Sequence, residues 1–143
     1  MKTFTIRVYG ILINANNEVL ISDEQAQGIT FSKFPGGGLE YGEGMLEGLK
    51  REFQEECRVA IEVLSHIYTT DFFVKSVFND QQVIAVYYWV KAGEIPQEHF
   101  CETPQQRFRW VPVHQLQSHD LTFETDRVAW HHFMSEKSHD FKF

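Results

Sequence analysis

The sequence predicts an α/β protein in which a β-sheet carries helices on its faces. Strand-like segments rich in β-branched and aromatic residues dominate the chain, and two segments, Met45–Cys57 and Glu124–Lys137, have helical patterns. Residues 83–90 (VIAVYYWV) form a continuous apolar run, which is typical of a central strand covered on both faces. Placing helices against a sheet is the economical way to bury all of these segments.

The first half of the chain reads as two strands, a glycine-rich loop and a helix. Residues 4–13 have strand composition and end in the turn signal NANNE, and VLISD follows, so the two segments are predicted to pair as a hairpin. Residues 31–44 hold five of the nine glycines together with aromatic residues, which indicates an ordered loop. The helix predicted over Met45–Cys57 has one apolar stripe expected to face the core: Leu46, Leu49, Phe53 and Cys57.

The second half alternates strands and polar connections. Residues 59–74 read as one long or two short strands, and a polar turn leads into the central apolar strand. A loop over 93–106 precedes a strand at 107–113, a short turn or helix at 114–120, and the closing helix. Since the chain shows no internal repeat or linker, we expect a single domain over residues 1–143.

Composition excludes several classes of protein. The net charge of −7 disfavours non-specific binding to nucleic acid or to anionic membranes, which reward a basic surface. Two cysteines, Cys57 and Cys101, are too few for a disulfide scaffold. No stretch resembles a signal peptide, and the longest apolar run is far shorter than a membrane span. These features predict a soluble, cytoplasmic protein; its oligomeric state is open, and a homodimer is one option.

Three glutamates, Glu52, Glu55 and Glu56, lie within five positions of the predicted helix. At about 100° per residue they share one arc beside the apolar stripe, so they face a groove. Oxygen ligands at a groove suit a hard cation such as Mg²⁺ or Mn²⁺. The plain alternative is a solvated ladder of ion pairs through Glu47, Arg51 and Glu55, which are spaced four apart. The glycines just upstream favour a ligand site, because they allow close approach of the main chain.

A longer pattern surrounds these glutamates. Gly37 is followed after five residues by Glu43 and, after seven more, by REFQEECRV at 51–59. This pattern resembles the Nudix box: Gly, five residues, Glu, seven residues, Arg-Glu, an aliphatic or aromatic residue, any residue, Glu-Glu, any residue, Gly and an apolar residue. Every specified position matches except the last glycine, where Arg58 stands. The segments FPGGGLEYGE and FRWVPVHQL are similar to the family as well, so the resemblance covers nearly all of the chain.

The resemblance implies a three-layer α/β/α sandwich around a mixed sheet and a divalent metal held by the box. It implies hydrolysis of a phosphoanhydride bond in a nucleoside diphosphate linked to another moiety, such as a nucleotide sugar, ADP-ribose or a nucleoside triphosphate. By matching position, Glu55 and Glu56 would bind Mg²⁺ or Mn²⁺, and Glu52 would bind it or orient the attacking water. A carbonyl of Gly36 or Gly37 would join them. Arg51 would hold the glutamates and Glu43 would brace the loop.

Other features leave alternatives open. The family often has a further acid outside the box, and three loop residues are candidates: Glu94, Glu98 and Glu102. Arg7 and Lys33 could reach phosphates, or could be ordinary strand charges. Phe34 is a candidate for lining the entrance of the active site. Six later aromatic residues include possible platforms for stacking a base, although most of them are expected in the core: Phe72, Phe73, Phe78, Tyr87, Tyr88 and Trp89. A non-catalytic nucleotide sensor on the same fold is the alternative function, and diphosphate isomerisation is a third.

The end of the box raises a question of geometry. Glycine after a helix often adopts a left-handed conformation that costs other residues about 1 kcal/mol or more. We therefore expect either that Arg58 adopts this conformation or that the helix ends with another turn.

Overall fold

The computed structural model describes residues 2–93 and 103–137. Seven strands and two helices are formed. The strands are β1 (Phe4–Leu12), β2 (Glu18–Ala26), β3 (Ile29–Lys33), β4 (Gly36–Gly38), β5 (Ile61–Thr69), β6 (Gln82–Ala92) and β7 (Gln106–Pro112). The helices are α1 (Met45–Cys57) and α2 (Glu124–Lys137), and two short 3₁₀ turns, Val113–Gln115 and Ser118–Asp120, lie between β7 and α2.

The strands form two sheets. The larger sheet is mixed and has the order β4-β1-β6-β5, with β1 parallel to β6 and the outer strands antiparallel to their neighbours. The smaller sheet has the order β3-β2-β7 and is antiparallel. The parallel pair β1–β6 lies in the middle of the larger sheet, as the continuous apolar run of β6 predicts.

Helices cover both faces of the mixed sheet. Alternate residues of β1 point to opposite faces, so Val8 and Leu12 pack with Leu49 and Phe53 of α1. The other face packs against α2 through a second cluster that includes Tyr9, Ile11, Tyr87, Trp130 and Phe133. The three-layer α/β/α arrangement with a central mixed sheet is therefore confirmed.

Gly10 sets how closely α1 approaches the sheet. A Cβ atom at this position would lie 2.6 Å from Cε2 of Phe53, so the missing side chain makes room for the phenylalanine ring. This contact places the polar side of α1 close to the edge strand β4.

The predicted hairpin of β1 and β2 is wrong. The two strands enter different sheets, and they are joined only by the isolated bridge between Ile13 and Val19 next to the turn. Each strand has apolar residues on both faces. After the turn, each can therefore pair with a strand that is distant in sequence instead of with the other. The divergence opens a cleft between the two sheets.

Two other local predictions need correction. The glycine-rich segment 31–44, predicted as a loop, contains the end of β3 and all of β4, in which Gly36, Gly37 and Gly38 pair with Tyr9, Val8 and Arg7. Leu46, predicted on the core stripe, is 45% exposed, because it lies in the first turn of α1, where Gly48 and Leu49 begin the buried side. The segment 59–74 contributes one strand, β5.

The end of α1 settles the question about Arg58. Arg58 adopts the left-handed conformation, with φ 54° and ψ 39°. Its N–H donates to the carbonyl of Gln54 at 3.0 Å, and the N–H of Val59 donates to that of Phe53 at 3.5 Å. The bond from Arg58 to Gln54 is the single 5→1 hydrogen bond of an αL cap, formed with an arginine at the usual glycine position. Neither α1 nor α2 has the length and apolar content required to cross a bilayer.

Candidate active site

Arg51 is the centre of the polar cluster beside α1. Its Nε and Nη2 donate to the two oxygens of Glu43, at 3.0 and 2.7 Å, in a bidentate pair. Nη2 also donates to the carbonyl of Gly38 at 3.0 Å. The hydrogen bonds from Arg51 lower the pKa of Glu43 to about 2, and those to Glu43 raise the pKa of Arg51. Arg51 and Glu43 therefore tie α1 to the loop before it and to β4.

Glu52 lies directly against β4, the glycine strand (Gly36–Gly38). A Cβ atom at Gly37 would lie 2.5 Å from the carboxyl carbon of Glu52, so the carboxylate occupies the space that a side chain would fill. Burial raises the pKa of Glu52, although Arg51 opposes this shift. Nη1 of Arg51 donates to Oε1 of Glu52 and to Oε2 of Glu55, each at 3.1 Å. Glu55 differs in burial, since its side chain is 59% exposed.

Glu56 is the most perturbed carboxylate of the helix. Its Oε1 accepts a hydrogen bond from Nε2 of Gln106 at 3.3 Å. Its Oε2 is buried and has no hydrogen-bond partner among the described residues. Burial raises the pKa of Glu56 to about 7, with Lys33 opposing the shift and Glu24 adding to it. A buried carboxylate oxygen without a partner is costly, and a bound cation would remove that cost.

Glu24 of β2 is a further candidate for the site, which the sequence pattern does not predict. Its Oε2 receives hydrogen bonds from Ser22 Oγ at 2.8 Å and from Gln106 Nε2 at 3.3 Å, and it pairs with Lys33 Nζ at 2.9 Å. Gln106 therefore joins Glu24 to Glu56. A signal was present in the sequence: Leu20, Ser22 and Glu24 alternate on one face of a strand, so two polar side chains continue a buried apolar face.

The donor set fits a hard divalent cation in its chemistry. It consists of carboxylate oxygens and glycine carbonyls, one carboxylate oxygen is buried without a partner, and Gly37 leaves room beside Glu52. In the conformation observed, Glu52 and Glu55 are hydrogen-bonded to Arg51 while Glu56 turns to Gln106. Across residues 2–93 and 103–137, no three His, Cys, Asp or Glu side chains are already placed to hold one ion. The predicted loop acids Glu94, Glu98 and Glu102 lie outside the described residues.

A cavity of about 610 Å³ adjoins this cluster. Its walls come from β1, β2, β3, residues 72–79 and the start of α2. Arg7, Glu24 and Lys33 lie on the side nearest the glutamates of α1, since Lys33 interacts electrostatically with both Glu52 and Glu56. The cavity thus provides space for a ligand next to the candidate metal ligands.

The far wall of the cavity is largely aromatic. Phe31 packs against Phe78 and Phe123, with ring centroids 5.7 and 5.3 Å apart. Of the six later aromatic candidates, Phe72, Phe73 and Phe78 line this cavity, whereas Tyr87, Tyr88 and Trp89 do not. Phe34, predicted at the entrance, is instead completely buried between Tyr87 and Trp130. It points to the core because it lies next to Lys33, whose side chain takes the cavity side of the strand.

Asp126 lies at the base of the cavity. It is 1% exposed, and its Oδ1 accepts a hydrogen bond from the hydroxyl of Tyr87 at 2.7 Å. Burial raises the pKa of Asp126 to about 7, although the hydrogen bond from Tyr87 and the positive charges of Lys33, Arg7 and Arg127 oppose the shift. The cavity therefore has a polar group at its base that can change its protonation state near neutral pH.

Comparison with known proteins decides the family. The sequence profile of the NUDIX domain matches residues 3–131, which includes all of the glycine strand, α1 and the cavity walls. The chain belongs to the NUDIX family. As a NUDIX protein it is a pyrophosphohydrolase. The polar cluster on α1 thus lies in the segment that resembles the Nudix box, and this resemblance implies that the segment binds a metal.

Solved structures share this NUDIX fold at low sequence identity. A NUDIX hydrolase from Nitrosomonas europaea is similar with a TM-score of 0.76 and 13% identity, covering 94% of this chain and 91% of that one. The E. coli ORF135 protein is similar with a TM-score of 0.76 and 16% identity, covering 99% and 96% of the two chains. A MutT NUDIX hydrolase from Burkholderia pseudomallei has a TM-score of 0.72, 16% identity, and coverage of 92% and 98%. No curated protein matches the chain by sequence.

Proposed function

We propose that this NUDIX protein hydrolyses a phosphoanhydride bond in a nucleotide-type diphosphate with the help of Mg²⁺ or Mn²⁺. The observation that supports this most directly is the buried oxygen of Glu56, which has no partner among the described residues; Glu56 interacts electrostatically with Lys33 and Glu24, which line a ligand-sized cavity. A bound cation would favour entry of a polyanionic substrate into a protein of net charge −7. The glutamates of α1 are the residues suited to hold one.

The candidate ligands are Glu52, Glu55 and Glu56 with a carbonyl of Gly36 or Gly37. A divalent cation bound by these groups would neutralise charge on the phosphates and lower the pKa of a bound water. Arg51 keeps Glu52 and Glu55 oriented through hydrogen bonds of 3.1 Å to each, and Glu43 keeps Arg51 in place. Gln106 orients the remaining glutamate, Glu56.

The reaction depends mainly on how the water and the phosphate are positioned. Phosphoryl transfer needs little covalent assistance, so holding water and phosphate in line supplies much of the rate enhancement. Glu52 either binds the cation or orients the attacking water, whose oxygen forms a bond to phosphorus as the bridging anhydride oxygen leaves. A nucleoside monophosphate is one product. The aromatic wall formed by Phe31, Phe78 and Phe123 suits a flat ring system of the substrate.

Turnover of a substrate panel tests the proposal. The native protein is incubated with Mg²⁺, with Mn²⁺ or with EDTA, and with ADP-ribose, a nucleotide sugar or a nucleoside triphosphate, and products are followed by chromatography. We expect hydrolysis of at least one compound with either metal and none with EDTA. Reaction in ¹⁸O-labelled water then identifies the phosphorus that is attacked. Failure of the native protein to turn over any compound, together with tight binding of one, would instead support the nucleotide sensor.

A further inference from the structure

Arg7 lies between the cavity and the glycine strand. It is partly buried on β1, lines the cavity, and is paired in register with Gly38 of β4. A Cβ atom at Gly38 would lie 3.7 Å from Nη1 of Arg7, so the guanidinium group extends over the glycine strand. On the other side of that strand, Gly37 contacts Glu52. Arg7 and Glu52 therefore flank the glycine strand and are close enough to interact electrostatically.

The guanidinium group of Arg7 is held in place, but most of its hydrogen-bond donors have no partner among the described residues. Its Nε donates to the hydroxyl of Tyr9 at 2.6 Å, and its Cζ lies 5.7 Å from the centroid of the Tyr9 ring. Within residues 2–93 and 103–137, neither Nη1 nor Nη2 has a hydrogen-bond partner, and no carboxylate pairs with Arg7. Four N–H groups of a planar cation that lines the cavity are therefore without a partner among the described residues.

Its neighbour Lys33 is different. Lys33 is 5% exposed and its ammonium group is used within the protein: it pairs with Glu24 at 2.9 Å and donates to the carbonyls of Phe34 and Gly36 at 3.3 and 3.5 Å. An ammonium group has three donors, so Lys33 has none to spare. Of the two cations that line this side of the cavity, Arg7 is the one able to bind a ligand anion.

The electrostatic setting keeps Arg7 charged. Burial alone lowers its pKa, but Tyr9 and the negative charges of Glu52 and Glu24 more than compensate, so the pKa of Arg7 is raised. Neither carboxylate is close enough to form an ion pair with it. The cation is thus stabilised without being neutralised by direct contact.

We propose that Arg7 binds the phosphoryl group that stays attached to the cavity-bound part of the substrate. Nη1 and Nη2 form a fork that matches two phosphate oxygens. The inference rests on the proposed function, since it assumes that the bond is broken beside Glu52 and Glu56. It assigns Arg7 a role in substrate recognition rather than in holding metal.

Binding of methylenediphosphonate to metal-free protein tests the assignment without relying on turnover. This probe has two phosphoryl groups, no base and a bridge that cannot be hydrolysed. Isothermal titration in EDTA compares native protein with Arg7→Gln, Arg7→Lys and the control Lys91→Gln, which removes a charge from an exposed residue of β6. We expect Arg7→Gln to weaken binding by about tenfold or more, Arg7→Lys to weaken it less, and Lys91→Gln to leave it unchanged. Equal affinity of native protein and Arg7→Gln, or no binding by native protein, would overturn the assignment.

Kinetics separate this inference from the proposed function. With a substrate found in the panel, Arg7→Gln should raise KM by about tenfold or more while kcat falls less, and Arg7→Lys should recover part of the loss. An unchanged KM in an active, folded Arg7→Gln protein would refute the role of Arg7 and leave the proposed function intact. Conversely, Arg7-dependent binding of methylenediphosphonate by a protein that hydrolyses nothing would retain the anion site and refute the proposed function. Melting curves of all variants show that the fold is kept.

Discussion

Gly37 and Glu52 are in direct contact: a methyl group on Gly37 would lie 2.5 Å from the carboxyl carbon of Glu52. The contact involves the end of a flexible side chain, so Glu52 can move aside. We expect Gly37→Ala to fold normally but to lower kcat/KM by about 100-fold, because displacement of a site group by about 1 Å costs that much. Steady-state kinetics and thermal melting measure the two effects.

Two other glycines provide the comparison. At Gly36, which has φ +149°, a Cβ atom would lie 2.0 Å from the carbonyl oxygen of Val8, so Gly36→Ala should destabilise the protein itself. No described atom lies within 4 Å of a Cβ position on Gly93, and Gly93→Ala should change neither activity nor stability. Full activity in Gly37→Ala would show that the position of Glu52 is not critical.

A divalent cation should stabilise the fold through Glu56. Its buried, unpartnered oxygen and the like charges on α1 make the metal-free protein less stable than the loaded one. Saturation at 100 times Kd corresponds to about 2.7 kcal/mol, so millimolar Mg²⁺ should raise Tm by several degrees. Thermal melting with Mg²⁺ and with EDTA measures this shift.

Glu56→Gln should remove both the shift and the activity. The amide keeps the shape of the side chain but is a poor metal ligand. We expect turnover to fall by more than about 100-fold, since loss of a partner outside the ligand shell alone costs 10–100-fold. Glu62→Gln, at a side chain that is 67% exposed on β5, is the control. Retained turnover in Glu56→Gln would contradict the assignment of Glu56 as a ligand.

Arg51→Lys should weaken the site while keeping its charge. Lysine cannot form the bidentate pair with Glu43 and at the same time donate to Glu52 and Glu55. We expect kcat/KM to fall by about 10–100-fold and the Mg²⁺ concentration for half-maximal activity to rise. Metal titrations of activity measure both. Lys50→Gln, at the neighbouring exposed position of α1, should have no effect, and an equal loss in that variant would indicate a general effect on the helix.

Asp126 should make stability depend on pH. Its pKa in the folded protein is about 7, against about 3.9 for an unperturbed aspartate. The folded state therefore binds more protons than the unfolded state between these values. The contribution of Asp126 is fully present below about pH 4 and is lost as the pH rises through 7.

Asp126→Asn isolates this effect. The amide can still accept the hydrogen bond from Tyr87 but cannot ionise, so its free energy of unfolding should fall less than that of native protein between pH 5 and pH 8. Urea unfolding at several pH values measures the difference. Asp80→Asn, at a side chain that is 84% exposed, is the control. Parallel pH profiles for native protein and Asp126→Asn would show that Asp126 does not titrate in this range.

Much of the architecture could be predicted from local patterns. Both helices begin and end where predicted, and β6 is central and covered on both faces, because apolar periodicity reports burial directly. The pairing of β1 was not predictable in this way. Its partners, β4 and β6, are determined by contacts between segments that are distant in the chain. A strand with an alternating or continuous apolar pattern is compatible with several partners.

The site shows the same contrast between features that the local sequence predicts and features that depend on long-range contacts. The sequence alone determined which residues carry the carboxylates, since Glu52, Glu55 and Glu56 occur at positions of a recognisable pattern. Their differences depend on the tertiary structure: Glu55 is exposed, Glu52 lies against Gly37, and Glu56 accepts from Gln106 while its other oxygen is buried. The tertiary structure also brought Glu24 to the glutamates and left the guanidinium fork of Arg7 open to the cavity. Burial, pKa and unused hydrogen-bond donors depend on neighbours that are far apart in the chain, and a linear pattern contains no information on those distances.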